Sequence, residues 1–350
     1  MAITNNPVQF GKVVDLSSGI NIIPNQWGLM QRLGLFTHQY NRTKTVLIPR
    51  TTEGEHVLQD RNWDERNPSI SGGAKDWLAL PIPHFPVDDA ITPNDVDGNI
   101  DWASVITGGT QLETIESKRA EKMERIRRAH ALTLELARLQ LIKNGTAYAP
   151  NGTINVNYYT EFGISRTELP VDLTSTTVRP NIALEGAIAH LQDGVMSSVG
   201  VATDFIALCS PSFFSALTNN PFVTEQYLYT QRPQGDALLN GRLTAGSPLD
   251  ARYRTFDYAG ILFIEVRGSI NGVDYIEEDK AYMFPRGTDA FETHFAPANR
   301  LSTVNQTALE SYYFEYINEK DDIIEIMTET NFLNVLKRPE LVVTLSNEEV

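Results

Sequence analysis

Three residues within one short stretch have the types that acid–base chemistry uses. In the segment MFPRGTDAFETHFAPANRLSTVN, residues 283–305, Asp289, Glu292 and His294 follow an Arg-Gly turn. Two carboxylates and a histidine could supply the acid and base of a hydrolase. Side chains alternate between the faces of a strand, so Asp289 and Glu292 would face opposite sides, whereas Glu292 and His294 would share one. An acid-dependent hydrolase therefore needs a sharp bend, and it is kept only as the alternative interpretation.

Other signatures of chemistry are missing from the sequence. It contains no Walker loop, no GxGxxG after a strand, no HExxH and no CxxC. Its six histidines are scattered, and none lies four residues from another, which argues against zinc. The run PNDVDGN imitates a calcium loop, but an EF-hand alignment puts Pro93 and Ser104 at ligand positions, so a turn is predicted. The sequence predicts no enzyme, no cofactor and no metal.

Two further residues that could react are better explained by packing. Cys209, the only cysteine, lies in the apolar run DFIALCS, which is typical of a buried strand. His130 lies within a long helical segment and is predicted to pack rather than to act as a base. Both are therefore expected to be structural.

Composition limits the classes of function. The chain has 350 residues, a net charge of −15, 41% hydrophobic and 21% charged residues. The acidic balance argues against a protein that grips nucleic acid through its phosphates, because that requires clustered Lys and Arg. The start MAITNNPVQF lacks the pattern of a signal peptide, so the protein is expected to be made and kept in the cytoplasm.

Residues 43–91 have the pattern of an extended arm. A strand-like run, TKTVLIPR, is followed by an almost entirely polar tract at 51–71 and then by an extended, Pro-rich return. This order predicts a long hairpin. Loops of such length are uncommon inside compact domains, and this one has too few apolar residues to be buried by its own chain. The arm is predicted to project and to contact another surface.

Residues 110–144 predict a single long helix. The segment contains no Pro or Gly, Thr110 and Glu113 form a candidate capping box, and Gly145 is the expected stop. Arg125, Arg127 and Arg128 crowd its middle, but interleaved acids favour a solvated or partner-paired face over nucleic acid. A compact domain rarely covers such a rod, so the helix also indicates contact between copies.

The remainder predicts an α/β region and then long strands. A hairpin with its turn at Asn151-Gly152 is followed by a helix at 180–198, the strand DFIALCS and a short helix beginning at Pro211. The runs TFDYAGILFIEVRG and DKAYMFPRG predict further strands. Two long alternating runs close the chain. A helix with Met30, Leu33 and Phe36 on one face is predicted before the arm.

Three segments in this order resemble the major capsid proteins of tailed bacteriophages, specifically the lambda-like capsid protein E family. They are IPNQWGLMQRLGLF at 23–36, the segment at 287–305 and TNFLNVLKRPELVV at 330–343. The resemblance implies the α+β Hong Kong 97 type capsid fold. Its parts would be an N-terminal arm with a short helix (1–42), an E-loop hairpin (43–91), a P-domain with spine helix 110–144 (92–179), an α/β A-domain (180–282) and the second part of the P-domain (283–350).

The resemblance also implies the partners. Pentamers and hexamers of this chain would form an icosahedral shell around packaged double-stranded DNA, without specific DNA binding and without a membrane. Family-like sequence begins soon after the N-terminal residues, so a separate scaffolding protein is expected, together with a portal and, optionally, a decoration protein. The location would be the virion, with assembly in the host cytoplasm. The charged residues predicted to contact neighbouring copies are Glu53, Glu55, Asp60, Arg61, Asp64, Glu65 and Arg66 of the arm and Arg125, Arg127 and Arg128 of the helix.

Overall fold

The computed structural model describes residues 14–17, 20, 28–50, 76–97, 114–147, 156–196, 202–230, 253–270, 273–318 and 323–348. The helices are α1 (Leu29–Leu33), α2 (Pro93–Val96), α3 (Ile115–Asn144), α4 (Tyr158–Phe162), α5 (Pro180–Met196), α6 (Pro211–Asn219) and α7 (Pro221–Thr230), with a 3₁₀ turn at Pro339–Leu341. None of these helices is both long and apolar enough to cross a membrane.

The strands of the described ranges follow in chain order. They are β1 (Val14–Asp15), β2 (Thr37–Tyr40), β3 (Thr45–Arg50), β4 (Asp76–Pro81), β5 (His84–Ile91), β6 (Thr167–Pro170), β7 (Asp204–Cys209), β8 (Thr255–Tyr258), β9 (Ile261–Glu265), β10 (Ser269–Ile270), β11 (Val273–Asp274), β12 (Lys280–Arg286), β13 (Phe291–Phe295), β14 (Tyr312–Asn318), β15 (Ile323–Leu336) and β16 (Val343–Ser346).

The first sheet, called the helix-bearing sheet, is organised around the long strand β15. Its described strands run in the order β1-β14-β15-β13-β2, and β5 pairs with β15 as well. The first half of β15 lies between β14 and β5, both antiparallel to it, and its second half pairs with β13. Strand β2 lies parallel to β13. The N-terminal segment and the C-terminal strands therefore build one layer.

Helix α3, called the spine helix, crosses this sheet. Its thirty residues contain no Gly or Pro, which accounts for its unbroken length. It begins at Ile115, where Thr114 accepts a hydrogen bond from the Ser117 backbone N–H at 3.2 Å, so the predicted start at 110 was wrong. Residues 110 and 113 lie outside the described ranges. The stop was predicted correctly: Gly145 has φ of 63°, a conformation that glycine adopts without strain.

Two small apolar clusters hold the spine helix against the sheet. Ile126 packs with Ile91 of β5 and Ile326 of β15 in one cluster. Ala137 belongs to the other cluster, in which the rings of Phe85 and Phe332 stack 4.5 Å apart. Between and around these clusters the contact is made by polar side chains, described below.

The second sheet, called the apolar sheet, has the order β6-β16-β12-β7-β9-β8 in the described chain. Strand β12 is antiparallel to β7 and β16, whereas β7 lies parallel to β9. Residues 206–209 of β7 and 281–284 of β12 are apolar and almost wholly buried. The sequence indicated an α/β unit within 180–282, but this sheet also takes β6 and β16 from outside that range.

The base of a hairpin lies between β2 and β5 in the chain order. Strand β3 pairs antiparallel with β4, from Thr45 opposite Pro81 to Arg50 opposite Asp76. Val46, Ile48 and Leu80 are buried in the main core, which fixes the base of the predicted arm. Residues 51–75, which include the polar tract, lie outside the described ranges.

Two local sequence predictions differ from the structure. Residues 158–162, read as the return of a hairpin, form helix α4, because Asn157 caps it by accepting from the Tyr159 backbone N–H at 3.0 Å. An antiparallel bridge between Thr146 and Asn157 remains, while the turn predicted at 151–152 lies outside the described residues. The run PNDVDGN begins with one helical turn, α2, rather than with a simple turn.

Candidate functional site

The triplet predicted to be able to do chemistry does not converge. Glu292 and His294 share one face of β13, as the alternation predicted, and His294 Nε2 donates to Glu292 Oε2 at 3.1 Å. Asp289 lies before this strand and is exposed. Lys337 Nζ donates to the other oxygen of Glu292 at 2.6 Å, and the Asn41 amide donates to His294 Nδ1 at 3.1 Å. Each member of the pair is therefore held by structural partners.

The lowered pKa of Glu292 fits a structural ion pair rather than a catalytic base. Burial opposes its ionisation, but the hydrogen bonds from His294 and Lys337 outweigh burial and hold its pKa below the usual value. A general base near neutral pH would need the opposite shift. The contacts tie together β13, the end of β15 and the segment after β2. Phe291 and Phe295 are fully buried on the other face.

A cluster of polar side chains, called the spine joint, fastens the spine helix to the helix-bearing sheet. Arg138 is 1% exposed and donates to Thr293 Oγ1 at 3.1 Å and to His38 Nε2 at 2.8 Å. Its guanidinium also lies 4.9 Å from the centre of the Phe36 ring. Burial lowers the pKa of Arg138 to about 10, which leaves it charged at neutral pH. Arg138 of the spine helix thus contacts the segment that follows α1, strand β2 and strand β13.

The spine joint continues about three turns earlier along the helix, at Arg127. Glu310 lies between Arg127 and His38: Arg127 Nη2 donates to it at 2.9 Å, and His38 Nδ1 lies 3.4 Å away. Hydrogen bonding to His38 and then to Arg127 lowers the pKa of Glu310 to about 2. Arg127 Nη1 also donates to Ser311 Oγ at 2.7 Å. The same carboxylate therefore connects the helix with β2.

His130 completes the spine joint as a neutral group. It is 4% exposed, and its Nδ1 lies 3.2 Å from Ser311 Oγ. Burial, with the charge of Arg127 nearby, lowers its pKa to about 4. The prediction that His130 packs rather than reacts is thus supported, although its polar contact with the sheet was not anticipated.

A second group of ion pairs holds the beginning of the spine helix. Arg119 Nε donates to Glu315 Oε1 of β14 at 2.7 Å, and Lys122 Nζ donates to Asp89 Oδ1 of β5 at 2.9 Å. Arg125 Nη2 reaches the other oxygen of Asp89 at 3.0 Å. Basic side chains of the helix therefore meet acids of two different strands, β5 and β14.

Of the three helix arginines predicted to face a neighbouring copy, one turns inward. Arg127 is 7% exposed because its guanidinium pairs with Glu310 of its own chain, so it is removed from the predicted contact surface. Arg125 and Arg128 have side chains that are 67% and 53% exposed. Arg128 pairs with Glu124 one turn away. The seven arm residues Glu53, Glu55, Asp60, Arg61, Asp64, Glu65 and Arg66 lie outside the described residues.

Glu135 is a structural carboxylate that the sequence did not single out. It borders a cleft of about 200 Å³ between α1 and the spine helix, where its Oε1 accepts from the Met30 backbone N–H at 2.9 Å. Burial raises the pKa of Glu135, although the backbone donors of Met30 and Leu29 oppose the rise. Its role is to hold the beginning of α1 on the helix. Within the described ranges no cluster of three acids, histidines or cysteines could hold a metal ion.

The sequence matches the family described as phage major capsid protein E over residues 12–347, which is nearly the whole chain. The chain belongs to this family. This capsid protein is 37% identical over 342 residues to the major capsid protein of Pseudomonas phage KPP10, covering 94% of the chain and 95% of that relative. It is 25% identical over 365 residues to the major capsid protein of Salmonella phage Felix O1, covering 97% of each.

The fold of the capsid protein agrees with this membership. A solved structure described as a prophage capsid protein from E. coli CFT073 aligns with a TM-score of 0.57, covering 96% of this chain and 100% of that one at 11% identity. At such identity the likeness concerns the fold alone, which is the α+β capsid fold. The chain is thus a structural protein of the phage head shell and not an enzyme, and the hydrolase interpretation has no support.

Proposed function

We propose that this capsid protein assembles as pentamers and hexamers into the icosahedral head shell of a tailed phage, around packaged double-stranded DNA. The family match over residues 12–347 is the observation that carries this proposal. The net charge of −15 fits a container that does not bind its DNA tightly. Assembly would take place in the host cytoplasm with a separate scaffolding protein and a portal, and a decoration protein could be added.

The proposed parts of the capsid fold follow the order of elements. Residues 1–42 would be the N-terminal arm, and residues 43–91 the E-loop, whose base is the β3–β4 pair. The P-domain would consist of the spine helix and the helix-bearing sheet, drawn from 92–179 and 283–350. The A-domain would be centred on 180–282 and extended by β6, the end of β12 and β16, because these strands pair within the apolar sheet.

The charged arm residues are proposed to contact neighbouring copies. Each exposed ion pair contributes only ~0–1 kcal/mol, so the effect depends on repetition around a closed shell. The arm would act together with Arg125 and Arg128, whose side chains are exposed on the spine helix.

Electron microscopy of the purified protein, expressed with its scaffolding protein, tests the proposal. Closed shells are expected, and a protein that remains monomeric under all assembly conditions would contradict it. The arm is tested by combining Arg61→Glu with Arg66→Glu, which should reduce particle yield without lowering the melting temperature of the free subunit. The matched control combines Arg61→Lys with Arg66→Lys and should assemble normally. Normal yield from the charge-reversed variant would remove these two arginines from the proposed contact.

A further inference from the structure

The loop between β13 and β14 exposes apolar side chains at its tip. Leu301 is 97% exposed and Val304 is 54% exposed, and Leu309 at the return of the loop is 41% exposed. Single exposed leucines are common on proteins, but here three exposed apolar residues lie within one short loop. Residues 299–309 are called the tip loop.

The tip loop is held in one conformation by its own hydrogen bonds. Thr303 is 4% exposed, and its hydroxyl donates to the Ala298 carbonyl at 2.8 Å. The Thr303 N–H donates to the Arg300 carbonyl at 3.1 Å, and the Gln306 N–H donates to the Thr303 carbonyl at 3.1 Å. The polar side chain of Thr303 thus points inward while its apolar neighbours face solvent.

Both ends of the tip loop are fixed to the helix-bearing sheet. The Asn299 N–H donates to the carboxylate of Glu329 in β15 at 3.2 Å, and the Arg300 guanidinium lies 4.4 Å from the centre of the Phe314 ring in β14. At the other end, the Ala308 N–H donates to the Asn41 carbonyl at 3.0 Å. Because the loop is already ordered, contact with a partner costs little further conformational entropy.

The charge of the tip loop favours one kind of partner. The tip loop contains one charged residue, Arg300, whose guanidinium lies over the Phe314 ring, and the nine residues LSTVNQTAL, 301–309, include no charged side chain, although 21% of the whole chain is charged. Copies of this chain each carry −15 and repel one another, so a contact between copies is favoured where the facing surface is neutral and apolar. A nucleic acid would instead require basic residues at the contact.

We infer that the tip loop is a contact between copies of this chain, in which Leu301 and Val304 become buried against a neighbouring copy. This inference rests on the proposed function, because it assigns one of the surfaces through which the shell is built. The helix-bearing sheet supplies the rigid base, and the loop supplies the apolar contact.

A charge placed at the tip tests the inference. Leu301→Asp should lower particle yield by about tenfold or more, the change that a modest loss of contact free energy gives. The melting temperature of the free subunit should not change, because Leu301 makes no buried contact in it. Leu301→Met, which keeps an apolar side chain, should assemble like the wild type. Shells of wild-type yield from Leu301→Asp would overturn the inference.

A matched variant separates a local contact from a general effect of charge. Ile182 on α5 is 71% exposed, and Ile182→Asp adds the same charge at a residue outside the tip loop. Its particle yield should remain near that of the wild type. Equal losses in Ile182→Asp and Leu301→Asp would attribute the loss to added charge and overturn the inference.

Thiol labelling measures burial of the tip directly. Cys209 is the only cysteine and is fully buried, so Leu301→Cys provides one reactive thiol. A maleimide should label it readily in dissociated subunits and much more slowly in shells, whereas Ile182→Cys should label alike in both. Equal labelling of Leu301→Cys in both states would overturn the inference. Absence of shells from the wild-type chain would instead contradict the proposed function itself.

Discussion

The two sheets of this capsid protein are stabilised in different ways. The apolar sheet has a nearly continuous hydrocarbon centre, in which Ile206, Phe263, Met283 and Phe284 are completely buried. The helix-bearing sheet meets the spine helix through buried ionic and polar side chains, among them Lys122, Arg127, His130 and Arg138. The tip loop extends from the second of these regions, between β13 and β14.

The difference shows how one chain can combine a stable apolar sheet with a spine helix that is held in one orientation. Apolar burial is strong but non-directional, so it stabilises the apolar sheet without specifying fine geometry. A buried ion pair is costly to break when one partner is lost, which favours one arrangement of the spine helix on its sheet. Titratable groups also make this arrangement sensitive to acid, whereas the apolar sheet is not expected to respond.

The largest effect is expected from a cavity in the apolar sheet. Phe284→Ala removes a fully buried ring that packs against Phe291, with ring centres 5.8 Å apart. It should lower the free energy of unfolding by about 3–5 kcal/mol. Denaturant unfolding of the dissociated subunit at pH 7 and pH 5 should give the same loss. A loss that changes strongly between these pH values would contradict the apolar character of this region.

Removing one partner of the spine joint should be the next most damaging change. Arg127→Met leaves Glu310 with His38 and the Tyr40 hydroxyl as partners, and it should cost about 2–3 kcal/mol because a charged hydrogen-bonded pair is broken. Adding Glu310→Gln should recover part of this loss of free energy, since the side chain at position 310 is then an uncharged amide. A double-mutant cycle by denaturant unfolding measures the coupling. Strictly additive losses would show that the two side chains do not interact.

Acid should weaken the spine joint through His130. Its pKa is about 4 in the folded protein against 6.5 for the free side chain, so the unfolded chain binds the additional proton first. Stability from this group is therefore present above pH 6.5 and is lost as the pH falls towards 4. Between pH 7 and pH 5 the free energy of unfolding should fall by roughly 2 kcal/mol.

The fall in the free energy of unfolding between pH 7 and pH 5 can be tested with a matched control variant. His130→Asn should flatten the dependence between pH 7 and pH 5, whereas His190→Asn, at an exposed position on α5, should leave it unchanged. Glu310 does not contribute in this window: its pKa is lowered to about 2, so its stabilisation is lost only as the pH falls from about 4.5 towards that value. A dependence that persists unchanged in His130→Asn would refute the assignment.

The smallest effect on stability is expected at the exposed face of the spine helix. Arg125→Ala removes a solvent-screened pair with Asp89, which keeps Lys122 as a partner, so the loss should be below about 1 kcal/mol. If Arg125 contacts a neighbouring copy, as proposed, particle yield should fall more than stability does. Unchanged yield would remove Arg125 from the contact surface.

Local features of the sequence were sufficient to predict most elements. The body and stop of the spine helix follow from helix-forming residues and Gly145, and helix α5 and strand β7 from their periodicity and apolar content. These signals lie within a few residues of one another, and the structure confirms them. The pairing of Glu292 and His294 on one face also followed from strand alternation alone.

What could not be predicted depends on distant partners. Arg127 and Arg128 are adjacent, and only the position of Glu310, far along the chain, decides that one is buried and the other exposed. The addition of β16 to the apolar sheet likewise depends on a pairing with β12 across many residues. The helix start was misplaced because Thr110 and Thr114 both suit a cap, and the structure has Thr114 there.

A cryo-EM reconstruction of particles assembled from this chain tests the central claim most directly. The account predicts a closed shell of pentamers and hexamers in which every copy keeps the spine helix paired to its own sheet and the tip loops lie at contacts between copies. Purified protein that yields only monomers, or an open filament without pentamers, would contradict it.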